Sequence, residues 1–279
     1  MGRLAPSRAV TIVILACLMA GIGLTGGSDP VRAAAVPWSV DRPRSAWLEV
    51  TRPDPRLCPS PMCGGVFVRA LNRWQLRCAD GHHARECYVG QVDWSALGLD
   101  PDAEARLGGE FTARRVVVRG ALFAEDLFGR SIPALRVDEA WRGVTGSRSL
   151  RDGFWLVTPS GIVCITHPCP VLNEERLNSR RSRALHEIDL ASRSDASSAQ
   201  VQEGLDALYS GAGLVVLGRH RRVEGPAGIG FELVAQEFYV RVAGSGGGER
   251  CGPVACGPGL ECCNPLMGIC VEPGQVCIQ

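Results

Sequence analysis

The chain is 279 residues long, 46% hydrophobic and 21% charged, with a formal net charge of +1. That near-neutral balance gives no long-range field to steer the protein onto nucleic acid or an anionic membrane. All 30 basic residues are arginine, so Schiff-base and lysine general-base chemistry are excluded.

The first 35 residues read as an export signal. Arg3 and Arg8 form a basic start, Val10 to Leu24 an apolar run, and cleavage is expected near Ala33 or Ala35. The run is shorter than the roughly 18–20 apolar residues a membrane span needs, so no stable span is expected after cleavage. Cys17, preceded by Ile14-Leu-Ala, invites a lipoprotein reading, but Leu15 is bulky for such a site and cleavage there would leave an apolar terminus. Loss of residues 1–33 removes three arginines and one aspartate and moves the net charge from +1 to −1. Thirteen cysteines less Cys17 leaves an even number, as suits a secreted, periplasmic or cell-envelope location.

Past the signal, Ala46–Thr51, Gly65–Leu71 and Tyr88–Trp94 read as strands from their β-branched and aromatic content. Asp100-Pro101 supplies an N-cap carboxylate and a proline at the first helical position. The short helix Asp102–Leu107 is expected to stop at Gly108-Gly109. Arg114–Leu122 and Ala134–Trp141 follow as strands, so residues 45–144 read β-β-β-α-β-β.

Residues 152–243 repeat that order, with a longer helix from about Asp195 to Tyr209 and strands Gly213–Arg219 and Phe231–Arg241. Trp47-Leu-Glu-Val matches Trp155-Leu-Val. Cys58, Cys63 and Leu71-Asn72 match Cys164, Cys169 and Leu177-Asn178 at a constant offset of 106. Val92-Asp93 matches Ile188-Asp189 at 96, and Val116–Gly120, Leu135, Glu139 and Trp141 match Leu214–Gly218, Leu233, Glu237 and Tyr239 at 98. A period this long means duplicated domains rather than a short-repeat solenoid. The expected fold is mainly β: two tandem five-stranded, OB-like antiparallel barrels or open sheets plus a small disulfide-rich module. Thr145–Asp152 joins the copies, and residues 244–250 form a Gly-rich linker to the tail at 251–279.

The second copy holds only Cys164 and Cys169, so a local bridge is the economical solution there and at Cys58–Cys63. The drop in offset from 106 to 96 locates a ten-residue insertion in the first copy that brings Cys78 and Cys87, which should staple their own hairpin. Two C-x4-C pairs could instead form one zinc site, a poor fit to an exported chain. Cys251, Cys256, Cys262, Cys263, Cys270 and Cys277 crowd into a tail too short to build a core. Adjacent Cys262 and Cys263 rarely bond each other, which leaves a knot-like first-to-fourth, second-to-fifth, third-to-sixth pairing as the leading option.

The runs Arg56-Leu-Cys-Pro-Ser-Pro-Met-Cys-Gly-Gly65, Cys78-Ala-Asp-Gly81, Glu86-Cys-Tyr-Val89 and Gly161-Ile-Val-Cys-Ile-Thr-His-Pro-Cys-Pro170 resemble an uncharacterised family of secreted bacterial proteins, a domain of unknown function. In that family the tandem domain often precedes a Cys-rich tail such as Cys262-Cys-Asn-Pro-Leu-Met-Gly-Ile-Cys270. The resemblance covers roughly residues 45–279 and implies export and domain layout; it supplies no catalytic residues.

No catalytic, cofactor or metal site is expected. His82-His83 with Glu86 could hold an ion, but adjacent side chains in an extended loop point apart. His167 sits in the second C-x4-C loop, and His186-Glu187 lacks the second histidine of a zinc-protease helix. His220, with Arg219, Arg221 and Arg222, reads as a solvated strand end or an anion-binding patch. No G-x-S-x-G elbow or phosphate-binding glycine loop is present. Glu139 beside Trp141 and Glu237 beside Tyr239 occupy matching positions and form a candidate ligand edge. The expected function is that of an exported, non-enzymatic binding protein for an extracytoplasmic protein or surface ligand. The alternatives are a secreted protease inhibitor, from the tail and the disulfide-bearing barrels, and an enzyme with a site between the repeats.

Overall fold

The computed structural model describes residues 44–127, 129–147 and 152–242, and in the tail 250–252, 254–256, 260–264, 266–271 and 275. The expected export signal, residues 244–249 of the Gly-rich linker and Cys277 lie outside the described residues. The first half holds β1 (Ala46–Pro53), β2 (Val66–Ala70), β3 (Leu76–Arg77), β4 (His83–Ala84), β5 (Cys87–Val89), β6 (Gln91–Asp93), α1 (Pro101–Thr112), β7 (Val116–Leu127) and β8 (Arg130–Gly143). The second half holds β9 (Gly153–Pro159), β10 (Leu172–Arg176), β11 (Ser182–Leu185), β12 (Glu187–Asp189), α2 (Ser198–Tyr209), β13 (Leu214–Gly225) and β14 (Gly228–Arg241). In the tail are β15 (Arg250–Cys251), β16 (Val254–Ala255), β17 (Glu261–Asn264) and β18 (Ile269–Val271).

The two halves share one sheet rather than forming two separate ones. Its path runs β11-β10-β9-β13-β14-β8-β7-β1-β2-β5, with distinct edge strands, so the sheet as a whole is not a closed barrel. It is not wholly antiparallel either: β6 runs parallel to β8, and β12 parallel to β14. The expected third strand, Tyr88–Trp94, is divided at Gly90 because its first part pairs with β2 and its second with β8. A Cβ on Gly90 would lie 2.5 Å from the Pro61 carbonyl, and the Gly90 N–H donates to Pro133 O. At the matching place His186 N donates to Phe231 O.

The halves meet where Trp141–Gly143 of β8 pair with Tyr239–Arg241 of β14. Arg142 faces Val240 at the middle, and Val144 N donates to Phe238 O while Val242 N donates to Ala140 O. These contacts are each other's counterparts at the 98-residue offset, so the seam is pseudo-two-fold. Trp47, Leu71, Val117 and Trp141 pack there against Phe154, Leu177, Val215, Leu217 and Tyr239. Each half keeps its own core as well: Leu107 and Phe111 of α1 cover one, Leu208 of α2 the other.

Strand register corrects one alignment. Trp47 pairs with Arg119 and Phe154 with Leu217, so Trp47 corresponds to Phe154 and not to Trp155. A one-residue slip along a strand moves a side chain to the other face, so Trp155 leaves the seam and turns into the second half. Gly120 and Gly218 do correspond. Each sits beside a bulge in its partner strand, and an added Cβ would lie 2.2 Å from Arg136 O or 2.5 Å from Val234 O.

Helix α1 begins where expected, with Asp100 accepting from Ala103 N, but it runs through Gly108-Gly109 to Thr112. Burial of Phe111 edge-on against Trp94, with ring centroids 5.4 Å apart, outweighs the propensity cost of two glycines. Helix α2 starts at Ser198 rather than near Asp195, because Ser197 and Gln200 make a capping box.

Disulfides join Cys58 to Cys63, Cys78 to Cys87 and Cys164 to Cys169. In the tail Cys256 bonds Cys270, but Cys251 bonds Cys262 and not Cys263, which corrects the knot-like order. Cys262 and Cys263 both lie on β17, where successive side chains point to opposite faces, and it is Cys262 that lies against β15.

Candidate functional site

Three of the four residues of the candidate edge are buried, and Glu139 is partly buried. Trp141 and Tyr239 are buried in the seam, where the strand ends that carry them pair with each other. Glu139 is held by Arg119 at 2.9 Å. Its counterpart Glu237 is buried and accepts from Thr145 N and Phe238 N through one oxygen, while Oε2 has no hydrogen-bond partner. The difference follows from one substitution: Leu217 stands where the first half has Arg119.

A different cluster gathers in the second half. Glu174 of β10 is fully enclosed, its two oxygens held by Arg183 of β11 and by His220 of β13 at 2.7 Å. Trp155 of β9 meets the His220 ring edge-on, with centroids 4.7 Å apart. The Arg183 guanidinium lies 5.6 Å from the Trp155 centroid and 5.1 Å from that of Phe231. Trp155, Arg183 and His220 line an open depression of about 440 Å³, which Arg176, Arg181, Ser182 and Arg219 also line. Trp155 Nε1 is buried there without a hydrogen-bond partner.

In the first half the corresponding place is apolar. By strand register, Glu174, Arg183 and His220 stand where the first half has Val68 and Cys87 of its core and Leu122 packed against it. Cys87 is bonded to Cys78 of the inserted β3–β4 hairpin, which sends Leu76 into the same core. The second half has no hairpin at the corresponding place. A depression of about 500 Å³ in the first half lies elsewhere, between α1 and the Gly64–Val66 strand, with Glu104 the one charged residue in its lining.

Charge in the open pocket is unevenly matched. Glu174 neutralises Arg183, and Arg193 pairs with Asp152 of the lining at 3.4 Å. Among the described residues no carboxylate lies within ion-pair distance of Arg176, Arg181 or Arg219. Arg221 and Arg222, grouped with His220 in the sequence, pair with Glu232 and Glu224 instead. The perturbed carboxyls lie away from the pocket. Arg56, hydrogen-bonded to Asp54, holds that carboxyl below its ordinary value, as donors from His82 and Ser95 do for Asp80 and Asp93. Burial raises Asp189, but donors from Ser192 and Ala191 outweigh it and leave the carboxyl lowered.

The remaining histidines have ordinary surroundings. His82 pairs with Asp80 and His167 with Glu187, while His186 accepts from Phe231 N. Glu86 pairs with Arg52. Cys251, Cys256 and Cys270 lie within 4.8 Å of one another, but as disulfide sulfurs they offer no thiolate to a metal. Sequence reasoning missed Glu174, Arg183 and Trp155. Part of the signal was available: the offsets set Val68 against Glu174 and Leu122 against His220, but the match of Cys87 to Arg183 needs the strand register.

A family model described as a domain of unknown function (DUF6748) matches residues 48–245. The chain belongs to that family. The match spans both halves and the seam between them, and stops before the tail hairpins. No curated protein and no solved structure matches the chain. Among the described residues no helix is long and apolar enough to cross a membrane, and the disulfides are compatible with an extracytoplasmic location.

Proposed function

We propose that this chain is an exported, non-enzymatic binding protein, made of two duplicated OB-type barrels joined edge to edge, with its ligand taken in the second. The barrel reading is supported by the pairings within each half: β1–β2–β5, the continuation of β5 into β6, then β6–β8–β7–β1. The observation that carries the binding reading is the exchange of the Val68, Cys87 and Leu122 set for Glu174, Arg183 and His220 in a half without the β3–β4 hairpin. Enclosing a carboxylate costs several kcal/mol before its partners offset it, and the apolar first half shows that the fold does not need one there. The cavity lies within the 300–1,000 Å³ range of small-molecule sites.

Thermal unfolding of the chain against a panel of neutral, cationic and anionic small molecules tests this. A ligand of the pocket raises the midpoint of the wild-type chain by mass action but not that of Glu174→Val/Arg183→Val/His220→Leu. Stabilisation of both proteins by every active compound would contradict the reading.

Protease inhibition by the tail is favoured by one observation. Leu266 and Met267, 91% and 72% exposed, project from the turn between β17 and β18, whose strands are tied by Cys251–Cys262 and Cys256–Cys270. A panel of proteases assayed with the purified chain separates the two readings; no inhibition at micromolar levels removes this one.

A further inference from the structure

Resting on the pocket reading above, we propose that the ligand is a small, multiply charged oxyanion, a compound carrying two or more carboxylate or phosphate groups. The β10–β11 turn provides the recognition. Arg176 N donates to Arg181 O at 2.9 Å, so the two residues face each other where the strands part. Glu174 pairs directly with Arg183 across β10 and β11, and alternation puts Arg176 and Arg181 on the same face as both. Arg176 is also the cross-strand partner of Trp155. Two arginines therefore share one face with the Glu174–Arg183 ion pair and the Trp155 ring, and Arg219 adds a third at the rim.

Among the described residues, several strand arginines elsewhere are matched by a carboxylate, though Arg130 and Arg241 are not among them. Arg69 binds Glu49, Arg119 binds Glu139, Arg142 binds Glu110 and Arg221 binds Glu232. Arg176, Arg181 and Arg219 gather around one depression whose Asp152 is already paired with Arg193, which leaves a local surplus of positive charge in a chain whose overall charge is near zero. A guanidinium fork fits a planar or tetrahedral oxyanion bidentately. Glu174 fixes Arg183 and His220 beneath, so the floor is set before the ligand arrives, with the Trp155 ring edge-on to His220 beside it. The open depression suits a small molecule, and the surplus of at least two charges calls for more than one anionic group.

Isothermal titration of the full chain with citrate, with inorganic pyrophosphate and with the neutral trimethyl ester of citrate is the test. Citrate or pyrophosphate should bind, the ester should not, and affinity should fall as NaCl rises from about 50 to about 500 mM. Arg176→Gln and Arg181→Gln should each weaken anion binding about tenfold or more. Both positions are at the solvent-facing rim, so an unchanged melting midpoint shows that the fold is intact. Binding of the ester as tight as citrate, indifference to both arginine substitutions, or no anion binding at millimolar concentration would overturn the inference. A neutral compound that binds the wild type and is lost in Glu174→Val/Arg183→Val/His220→Leu would leave the pocket standing and overturn only its charge preference. Anion binding that survives the triple substitution would overturn the pocket itself.

Discussion

Asn72 and Asn178 each reach across the seam and hold the other half's first strand through the same three contacts. Asn72 Nδ2 donates to Phe154 O at 2.7 Å and Leu177 O at 3.1 Å, while Phe154 N donates to its Oδ1 at 3.0 Å. Asn178 repeats this with Trp47 O at 2.7 Å, Leu71 O at 2.9 Å and Trp47 N at 2.8 Å. Both residues have φ of 56°, a left-handed conformation that asparagine tolerates better than most residues.

Asn72→Gly and Asn178→Gly keep that backbone conformation and delete the three contacts. Each should lower unfolding stability by about 3 kcal/mol, at roughly 1 kcal/mol per hydrogen bond. Urea denaturation measures it; a loss below about 0.5 kcal/mol in either would mean the seam is held by its apolar packing alone.

Glycines separate steric need from helix propensity. Gly120→Ala and Gly218→Ala place a Cβ against a carbonyl oxygen at 2.2 and 2.5 Å, and both should lower stability by several kcal/mol. Gly109→Ala, inside α1 with nothing within 4 Å of the new Cβ, should raise it by up to about 1 kcal/mol. Thermal melts of the three variants should therefore move in opposite directions.

The sequence carried more of the fold than of the site. The recurring element order, the Leu-Asn pairs and the Cys78–Cys87 hairpin can be read from offsets, because each is a local run of residues. The partners of Asn72 and Asn178 cannot, since they lie 82 to 131 residues away. Matching Trp47 to Trp155 by identity misplaced the register by one, where the strand pairing prefers Phe154. Glycine content suggested an end to α1 at Gly108, which the burial of Phe111 overrides. The pocket has no motif: Glu174 and His220 stand 46 residues apart and meet only when β9 comes between their strands.

The enclosed trio gives a stability signature. Glu174→Val alone strands Arg183 and His220 and should cost about 2–3 kcal/mol, less than a fully enclosed pair because Arg183 is 42% exposed. Replacing all three with Val, Val and Leu should recover most of that loss. If the triple variant is less stable than the single one, the trio serves the fold rather than a ligand.

Acid should loosen the first C-x4-C loop. The Asp54 carboxyl, held down by Arg56 and by Gly64 N, ionises below its ordinary 3.8. A depressed folded value contributes stability that is complete above the unfolded value and is lost as pH falls through the folded one. Asp54→Asn should therefore flatten the fall in melting midpoint between about pH 4 and about pH 2. An unchanged acid limb would show that the ion pair with Arg56 contributes nothing in solution.

The central claim is that the second half, and not the first, receives a ligand. Backbone amide NMR during a titration with citrate tests it most directly. The account predicts shifts confined to Gly153, Arg176, Arg181 to Arg183 and Gly218 to His220, with their counterparts Ala46, Ala70, Cys87 and Gly120 to Leu122 unmoved. Shifts centred on the first half, or spread evenly over both, would contradict it.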